Sequence, residues 1–177
     1  RLCDFATLRL LKKACCLVVM LTCCLLTSCG VYSFSGASIP AEAKTVSVQY
    51  FPNNAQLVNP LLSNTLTNAL NDMFVNQTTL QSVAQNGDLA IEGEITGYVT
   101  SPIAITGNQT AAMNRLTVTV NVRFTNKYEE SKNFEQKFSQ YQDYPSNQDL
   151  NAVQDALVEQ IIEDLCQDIF NKAVVNW

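Results

Sequence analysis

Two glutamates on one predicted strand are the most direct candidates for acid–base chemistry in this chain. Glu92 and Glu94 are two positions apart, so in a strand both side chains point to the same face, roughly 7 Å apart along the backbone. Glycosidases can hold their paired carboxylates at such a separation. The alternative is a solvated patch on an exposed strand, and the sequence favours it because nothing around the pair indicates a cleft.

The composition excludes most other catalytic chemistry. The 177 residues contain no histidine, which removes imidazole metal ligands, Ser-His-Asp and Cys-His catalysis, and the usual general base at neutral pH. A formal net charge of −5 argues against a nucleic-acid partner, which requires clustered Lys and Arg. Neither a phosphate-binding glycine loop nor, beyond residue 28, a CxxC pair occurs, so we expect no metal and no cofactor.

The first 28 residues differ in chemistry from the rest. Arg9, Lys12 and Lys13 precede an uncharged apolar run from Ala14 to Leu26. As a helix this run would span roughly 20 Å, too short to cross a hydrocarbon layer of ~30 Å. A cationic flank followed by a short apolar run is typical of a secretory signal, with a buried core helix or an atypical membrane anchor as the alternatives.

The residues that end this run carry the clearest chemical signal. Leu26-Thr27-Ser28-Cys29 resembles the lipobox of bacterial lipoprotein precursors, in which the cysteine thiol is acylated and the preceding bond is cut. Several acyl chains on one residue make a durable membrane anchor. By resemblance to lipoprotein sorting, Gly30 after the cysteine favours the outer membrane, facing the periplasm. The alternative is that Cys29 is an ordinary small buried residue.

This interpretation divides the chain into a signal peptide at 1–28, a lipidated tether at 29–43 and one α+β domain at 44–177. Only Cys166 then remains as a free thiol, so the mature chain has no disulfide. We expect Cys166 to be a small core residue on a helix.

Apolar periodicity predicts the order β-α-β-β-β-α for this domain. The predicted strands are Thr45–Tyr50, Leu89–Thr96, Leu116–Phe124 and Asn133–Ser139. The first helix is predicted to start at Asn59-Pro60 and the second at a capping box, Ser146–Asp149. The predicted fold is a two-layer sandwich, a four-stranded mixed sheet with two helices on one face and a bare polar face. The segment from Val99 to Met113 is predicted to be a mobile loop or flap.

The last two strands predict their own register. If their connection is Lys127 to Ser131, Phe124 faces Phe134, Val120 faces Phe138, and Arg123 faces Glu135 on the polar face.

Several segments after residue 28 match a known family pattern. They are Cys29–Gly36, Gln49–Asn53, Val58–Pro60, Glu92–Tyr98, Asn114–Leu116 and Ile169–Trp177. Together they resemble the LptE family of lipopolysaccharide-assembly lipoproteins in the form found in Bacteroidota. The resemblance covers nearly all of the predicted mature chain, and the family's fold of two helices on a four-stranded sheet agrees with the predicted order.

The resemblance implies a noncatalytic outer-membrane lipoprotein that plugs the LptD β-barrel, helps it to assemble and assists insertion of lipopolysaccharide into the outer leaflet. The implied partners are an LptD-like barrel, lipopolysaccharide and, through the lipid anchor, the membrane. The outward cations Arg115, Arg123 and Lys137 are hypothetical contacts for lipopolysaccharide phosphates and carboxylates, with a structural salt bridge as the alternative for Arg123. The residues alone leave open a freestanding periplasmic carrier that binds an apolar ligand between helices and sheet.

Overall fold

One mixed five-stranded sheet organises the computed structural model, which describes residues 39–57, 59–103 and 112–175. In chain order the elements are β1 Thr45–Val48, α1 Leu62–Gln77, β2 Gln81–Ser82, β3 Leu89–Ile103, β4 Met113–Asn126, a 3₁₀ helix Glu130–Lys132, β5 Phe134–Pro145 and α2 Leu150–Val174. The spatial order of the strands is β2-β1-β3-β4-β5. β1 is parallel to both of its neighbours, and β4 is antiparallel to both β3 and β5.

The α+β class and the two helices are confirmed, but the prediction of four strands is wrong. The fifth strand is β2, whose two residues pair in parallel with Thr45 and Val46 of β1. Its pairing includes the Gln81 N–H donating to the Lys44 carbonyl at 2.9 Å and the Val83 N–H donating to the Val46 carbonyl at 2.9 Å. A strand of two exposed residues has no alternation for a sequence pattern to detect.

Helix α1 makes the crossover between the parallel strands β1 and β3, as predicted. The Asn59 Oδ1 accepts a hydrogen bond from the Leu61 N–H at 3.0 Å, and the Asn59 carbonyl accepts from the Leu62 N–H at 3.2 Å. Pro60 has no N–H to lose at this position. The helix then buries one stripe completely against the sheet, at Leu62, Leu66, Leu70 and Phe74.

Helix α2 is capped by a different residue from the one predicted. Ser146 lies in a turn, and the helix begins only at Leu150, where the Asp149 side chain accepts from the Asn151 N–H at 3.1 Å. The 25-residue helix packs beside α1, with the rings of Phe74 and Phe170 edge to face and their centroids 5.0 Å apart. Neither helix among the described residues is both long and apolar enough to cross a membrane.

The predicted loop between Val99 and Met113 is strand at both of its ends. β3 runs on to Ile103 and β4 begins at Met113, while residues 104–111 lie outside the described residues. Pro102 is compatible with this long hairpin because the neighbours of β3 on its other side end near Ile95, so the missing N–H costs no ladder hydrogen bond there.

Candidate functional site: the outer face of the sheet

The two faces of the sheet differ sharply in burial. Leu116, Val118, Val120 and Val122 of β4 point towards the helices and are fully buried, while the residues between them lie on the opposite side, which we call the outer face. The outer face is built of cross-strand rows from β3, β4 and β5. These rows are Glu92–Arg123–Glu135, Glu94–Asn121–Lys137, Gly97–Thr119–Ser139, Val99–Thr117–Tyr141 and Ser101–Arg115–Asp143.

Arg123 is held between two carboxylates. Its Nε and Nη2 both lie 3.1 Å from the Glu135 Oε2, and its Nη1 lies 3.9 Å from the Glu92 Oε1. Hydrogen bonds from the Asn121 amide and from Arg123 lower the pKa of Glu135, so the carboxylate stays ionised to lower pH. The predicted contact between Arg123 and Glu135 is confirmed.

Arg115 makes a closer ion pair than Arg123 and also stacks on an aromatic ring. Its Nε and Nη2 donate to the two carboxylate oxygens of Asp143 at 2.7 and 3.0 Å, a bidentate ion pair. Its guanidinium also lies 3.6 Å from the centre of the Tyr141 ring. The hydrogen bond from Arg115 lowers the pKa of Asp143, and the same bond raises the pKa of Arg115.

Lys137 differs from the other two predicted cations. It lies on the outer face in the row of Glu94 and Asn121, it is exposed, and its ammonium group has no carboxylate partner within the described part of the chain. The structure therefore brings all three predicted residues to one face but leaves only Lys137 available to an incoming anion.

Glu92 and Glu94 do share this face, but both carboxylates are already engaged. Glu92 contacts Arg123, and the Glu94 Oε2 accepts a hydrogen bond from the Asn54 amide at 2.6 Å. The depression around them, about 380 Å³, is shallow, polar and lined also by Tyr50. Both glutamates are partly exposed and hold contacts to neighbouring residues, which favours the solvated patch over a catalytic pair.

Asp88 fixes the end of the sheet where β1, β3 and β4 meet. Its Oδ2 accepts hydrogen bonds from the Lys44 N–H at 3.0 Å and from the Thr45 N–H and hydroxyl at 3.1 and 2.9 Å. Its Oδ1 accepts from the Tyr128 hydroxyl at 3.3 Å and lies 3.8 Å from the Lys127 ammonium. The bond from Lys44, followed by that from the Thr45 hydroxyl, lowers the pKa of Asp88.

The structure tests the prediction for Cys166 but not the one for Cys29. Cys166 is buried on α2, as predicted, and burial raises the pKa of its thiol to about 12. Cys29 lies outside the described residues, so its acylation stays a prediction. Across residues 39–57, 59–103 and 112–175, no three His, Cys, Asp or Glu side chains are grouped as metal ligands.

The contacts of Arg115 with Asp143 and Tyr141 were not predicted from the sequence. The register that places Arg123 opposite Glu135 continues without interruption along β4 and β5, and eight residues further it places Arg115 opposite Asp143. The sequence contained this pairing, but predicting it required β5 to extend beyond Ser139 to Pro145. The stacking of Tyr141 on Arg115 also requires this extension of the strand.

Comparison with known proteins gives one family match. A family profile described as "LptE: Lipopolysaccharide-assembly" matches residues 43–173. A search of curated proteins finds no match.

Solved structures to which this chain is similar include three proteins of low sequence identity. A minor lipoprotein from Acinetobacter baumannii is 15% identical over 70% of this chain and 91% of its own, with a TM-score of 0.45. An uncharacterized lipoprotein B from Nitrosomonas europaea is 14% identical over 75% and 82%, with a TM-score of 0.45. A putative neuraminyllactose-binding hemagglutinin homolog from Helicobacter pylori is 10% identical over 77% and 88%, with a TM-score of 0.49. Identities this low carry no information about function.

Proposed function

The chain belongs to the LptE family of lipopolysaccharide-assembly proteins, and we propose that it is a lipid-anchored outer-membrane subunit of the lipopolysaccharide transport machinery that plugs an LptD-like β-barrel. The observation that carries this proposal is the family match over residues 43–173, which contain every described strand and nearly all of α2. In this role the chain is noncatalytic, helps the barrel to assemble and faces the periplasm from an acylated Cys29.

The charge arrangement of the outer face suits a protein partner. Burying a charge at an interface is costly unless the charge is paired and hydrogen-bonded. Arg115 and Arg123 already have carboxylate partners within this face. Another protein can therefore contact Arg115 or Arg123 without leaving either arginine unpaired, which supports docking against the barrel.

Lys137 is the residue we assign to a direct contact with lipopolysaccharide. A phosphate approaching Arg115 must displace a bidentate carboxylate and then lie beside it, whereas Lys137 has no carboxylate to displace among the residues that the structure describes. Arg115 and Arg123 thus serve mainly to hold the strands together.

Filled packing between the layers argues against a carrier of an apolar ligand. Phe51, Phe74 and Phe124 are fully buried there, together with most of the leucine and isoleucine side chains of the sheet and helices. An apolar ligand would have to displace these side chains.

The barrel proposal is tested by isolating the tagged chain from detergent-solubilised outer membrane. We expect an LptD-like barrel to co-purify in stoichiometric amount and mass spectrometry to find acyl groups on Cys29. The Cys29→Ser variant, which has no thiol to acylate, serves as the control and should be lost from the membrane fraction. A tagged chain that is isolated alone, or a Cys29 without acyl groups, would contradict the proposal.

The lipid contact is tested by titrating the purified chain with purified lipopolysaccharide. We expect Lys137→Gln to weaken binding about two- to fivefold, the effect of one exposed charge contact. Lys172→Gln removes the same charge from the helical layer and should leave binding unchanged. Equal losses in both variants would show that only net charge matters and would remove Lys137 from the site.

A further inference from the structure

Among the described strands, β5 is long and has no partner strand on its outer side. β5 lies at the end of the strand order and contains 12 residues, whereas β2 at the opposite end contains two. Its pairing with β4 runs without a bulge from Met113↔Pro145 to Phe124↔Phe134. A long, regular edge strand is a template for another strand, and proteins usually shorten, bend or cover such an edge.

Two hydrogen bonds establish which backbone groups of β5 point away from the sheet. The Ser146 N–H donates to the Ala112 carbonyl at 3.0 Å, so in this register the even-numbered residues of β5 bond to β4. On the other side of β4, the Lys127 N–H donates to the Asp88 carbonyl at 3.0 Å, so the backbone groups of the odd-numbered residues of β4 bond to β3. The even-numbered residues of β4 are then the ones that bond to β5. The two observations agree.

The backbone N–H and C=O groups that therefore point outward belong to Glu135, Lys137, Ser139, Tyr141 and Asp143. Among the described residues none of these groups has a hydrogen-bond partner, and all five residues are exposed. The free edge is roughly 27 Å long at ~3.4 Å per residue. Pro145 ends it at a position whose N–H would also point outward, so the proline removes no ladder bond.

The surroundings of the edge favour a basic partner. On the helical side, Gln140 donates to the Asp168 carboxylate at 2.6 Å and Gln142 to the Asp164 carboxylate at 3.5 Å. No cation forms an ion pair with either carboxylate within the described residues. Alternate side chains of a strand added to β5 would point towards these two aspartates.

A second copy of this chain does not have this chemistry. The whole chain has a formal net charge of −5, of which residues 1–28 contribute +3, so two copies of the remainder each carry −8 and repel each other. The side chains of β5 that face the helical side are Phe134, Gln136, Phe138, Gln140, Gln142 and Tyr144, which offer no positive charge to Asp164 or Asp168.

We propose that the free edge of β5 pairs with an extended segment of the barrel partner that carries Lys or Arg on the side facing Asp164 and Asp168. This inference rests on the proposed function, because the occupant is the LptD-like barrel, and it assigns the mode of contact: backbone hydrogen bonds along β5 supply the pairing, and the two aspartates select the partner.

Hydrogen exchange measures this pairing directly. The chain is co-expressed with the LptD-like barrel of the same bacterium, and amide exchange is compared between the free chain and the detergent-purified complex at single-residue resolution. We expect the amides of Lys137, Ser139 and Tyr141 to exchange at least tenfold more slowly in the complex. The amides of Phe138 and Gln140 bond to β4 in both states and should change little. Docking through the outer face alone would not produce this alternation.

Two pairs of variants test the backbone and the charge separately. Ser139→Pro removes one outward N–H and should weaken the complex about two- to tenfold. Ser139→Ala loses the same hydroxyl but keeps the N–H, and it should bind normally. Asp168→Lys should also weaken the complex, while Glu163→Lys, on the same helix without a described contact to β5, should not. Circular dichroism of each free variant establishes that it is folded.

The possible outcomes are distinguishable. A barrel that co-purifies without alternating protection in β5 overturns strand pairing and leaves the proposed function standing. If no barrel co-purifies, both proposals fail. Protection of β5 that rises with the concentration of the chain alone identifies a second copy as the occupant and overturns the assignment to the barrel.

Discussion

Replacing Gly93 by alanine is the sharpest test of how this fold is packed. Gly93 lies in the middle of β3 between Glu92 and Glu94, directly against the ring of Phe51. A Cβ atom at this position would lie 2.7 Å from the Phe51 Cε1 and would overlap the carbonyl oxygen of Asn121 on the neighbouring strand. The side chain of Phe51 is fully buried, so the ring has little room to move.

The expected cost follows from these two contacts. Overpacking a core position typically costs about 1–3 kcal/mol. One of the atoms in the way at Gly93 belongs to a paired backbone and cannot rotate aside, so we expect a loss of about 2–3 kcal/mol in the free energy of unfolding. In a domain of this size each kcal/mol lowers the melting temperature by about 2–4 °C, which gives a fall of about 4–12 °C.

Gly97→Ala is the matched control on the same strand. Its added Cβ would lie 3.2 Å from the Thr119 Cβ, a side-chain contact on the outer face that a small shift can relieve. Both variants remove glycine flexibility from the unfolded chain, which by itself stabilises by about 0.4–1 kcal/mol. Urea unfolding and thermal melts of the two variants are compared with the parent chain. If Gly93→Ala is no less stable than Gly97→Ala, the close approach of Phe51 and Asn121 to Gly93 is wrong.

Two further predictions concern titratable groups. The lowered pKa of Asp88 means that its carboxylate stabilises the fold at pH values above its unfolded pKa of about 3.9 and loses this effect as pH falls through the lower folded pKa. Asp88→Asn should therefore melt below the parent chain at pH 7, with the difference shrinking as the pH falls through the folded pKa of Asp88; a difference that does not depend on pH would contradict this role. Because burial raises the pKa of Cys166 to about 12, its thiol should resist iodoacetamide at pH 8 until urea unfolds the chain, and rapid labelling of the folded chain would contradict its burial.

The parts of the fold that the sequence predicted depend on patterns several residues long. Alternation along β3 and β4 gave the strands and their buried face, and the short connection after Phe124 predicted the pairing of Arg123 with Glu135, which is confirmed. The strand β2 escaped prediction because pairing with β1, not any pattern in its two residues, makes it a strand. Pro102 indicated a loop because proline is uncommon inside a sheet. It fits in β3 because the neighbours on that side end near Ile95, which the residues around Pro102 do not reveal.

The candidate site was predictable in its composition but not in its pairing. The sequence placed Arg115, Arg123 and Lys137 on one outward face, and the structure confirms that placement. The difference between them arises from the full length of β5, which brings Asp143 to Arg115 but, within 39–57, 59–103 and 112–175, no carboxylate to Lys137. Likewise, the contact of Phe51 with Gly93 joins two elements separated by a crossover helix, and no local pattern contains that information.

The geometry of Lys137 allows one residue to take part in both proposed contacts. Its side chain lies on the outer face, whereas its backbone N–H and C=O lie in the plane of the sheet and point away from β4. Pairing of β5 with a partner strand uses only the backbone groups, so the ammonium group stays available to a phosphate. Residues 29–177 carry a formal net charge of −8 and repel anionic headgroups. Under the proposed function a lipopolysaccharide contact is therefore local, at a cation held in place by the docked strand, while the acyl chains proposed for Cys29 would provide the attachment to the membrane.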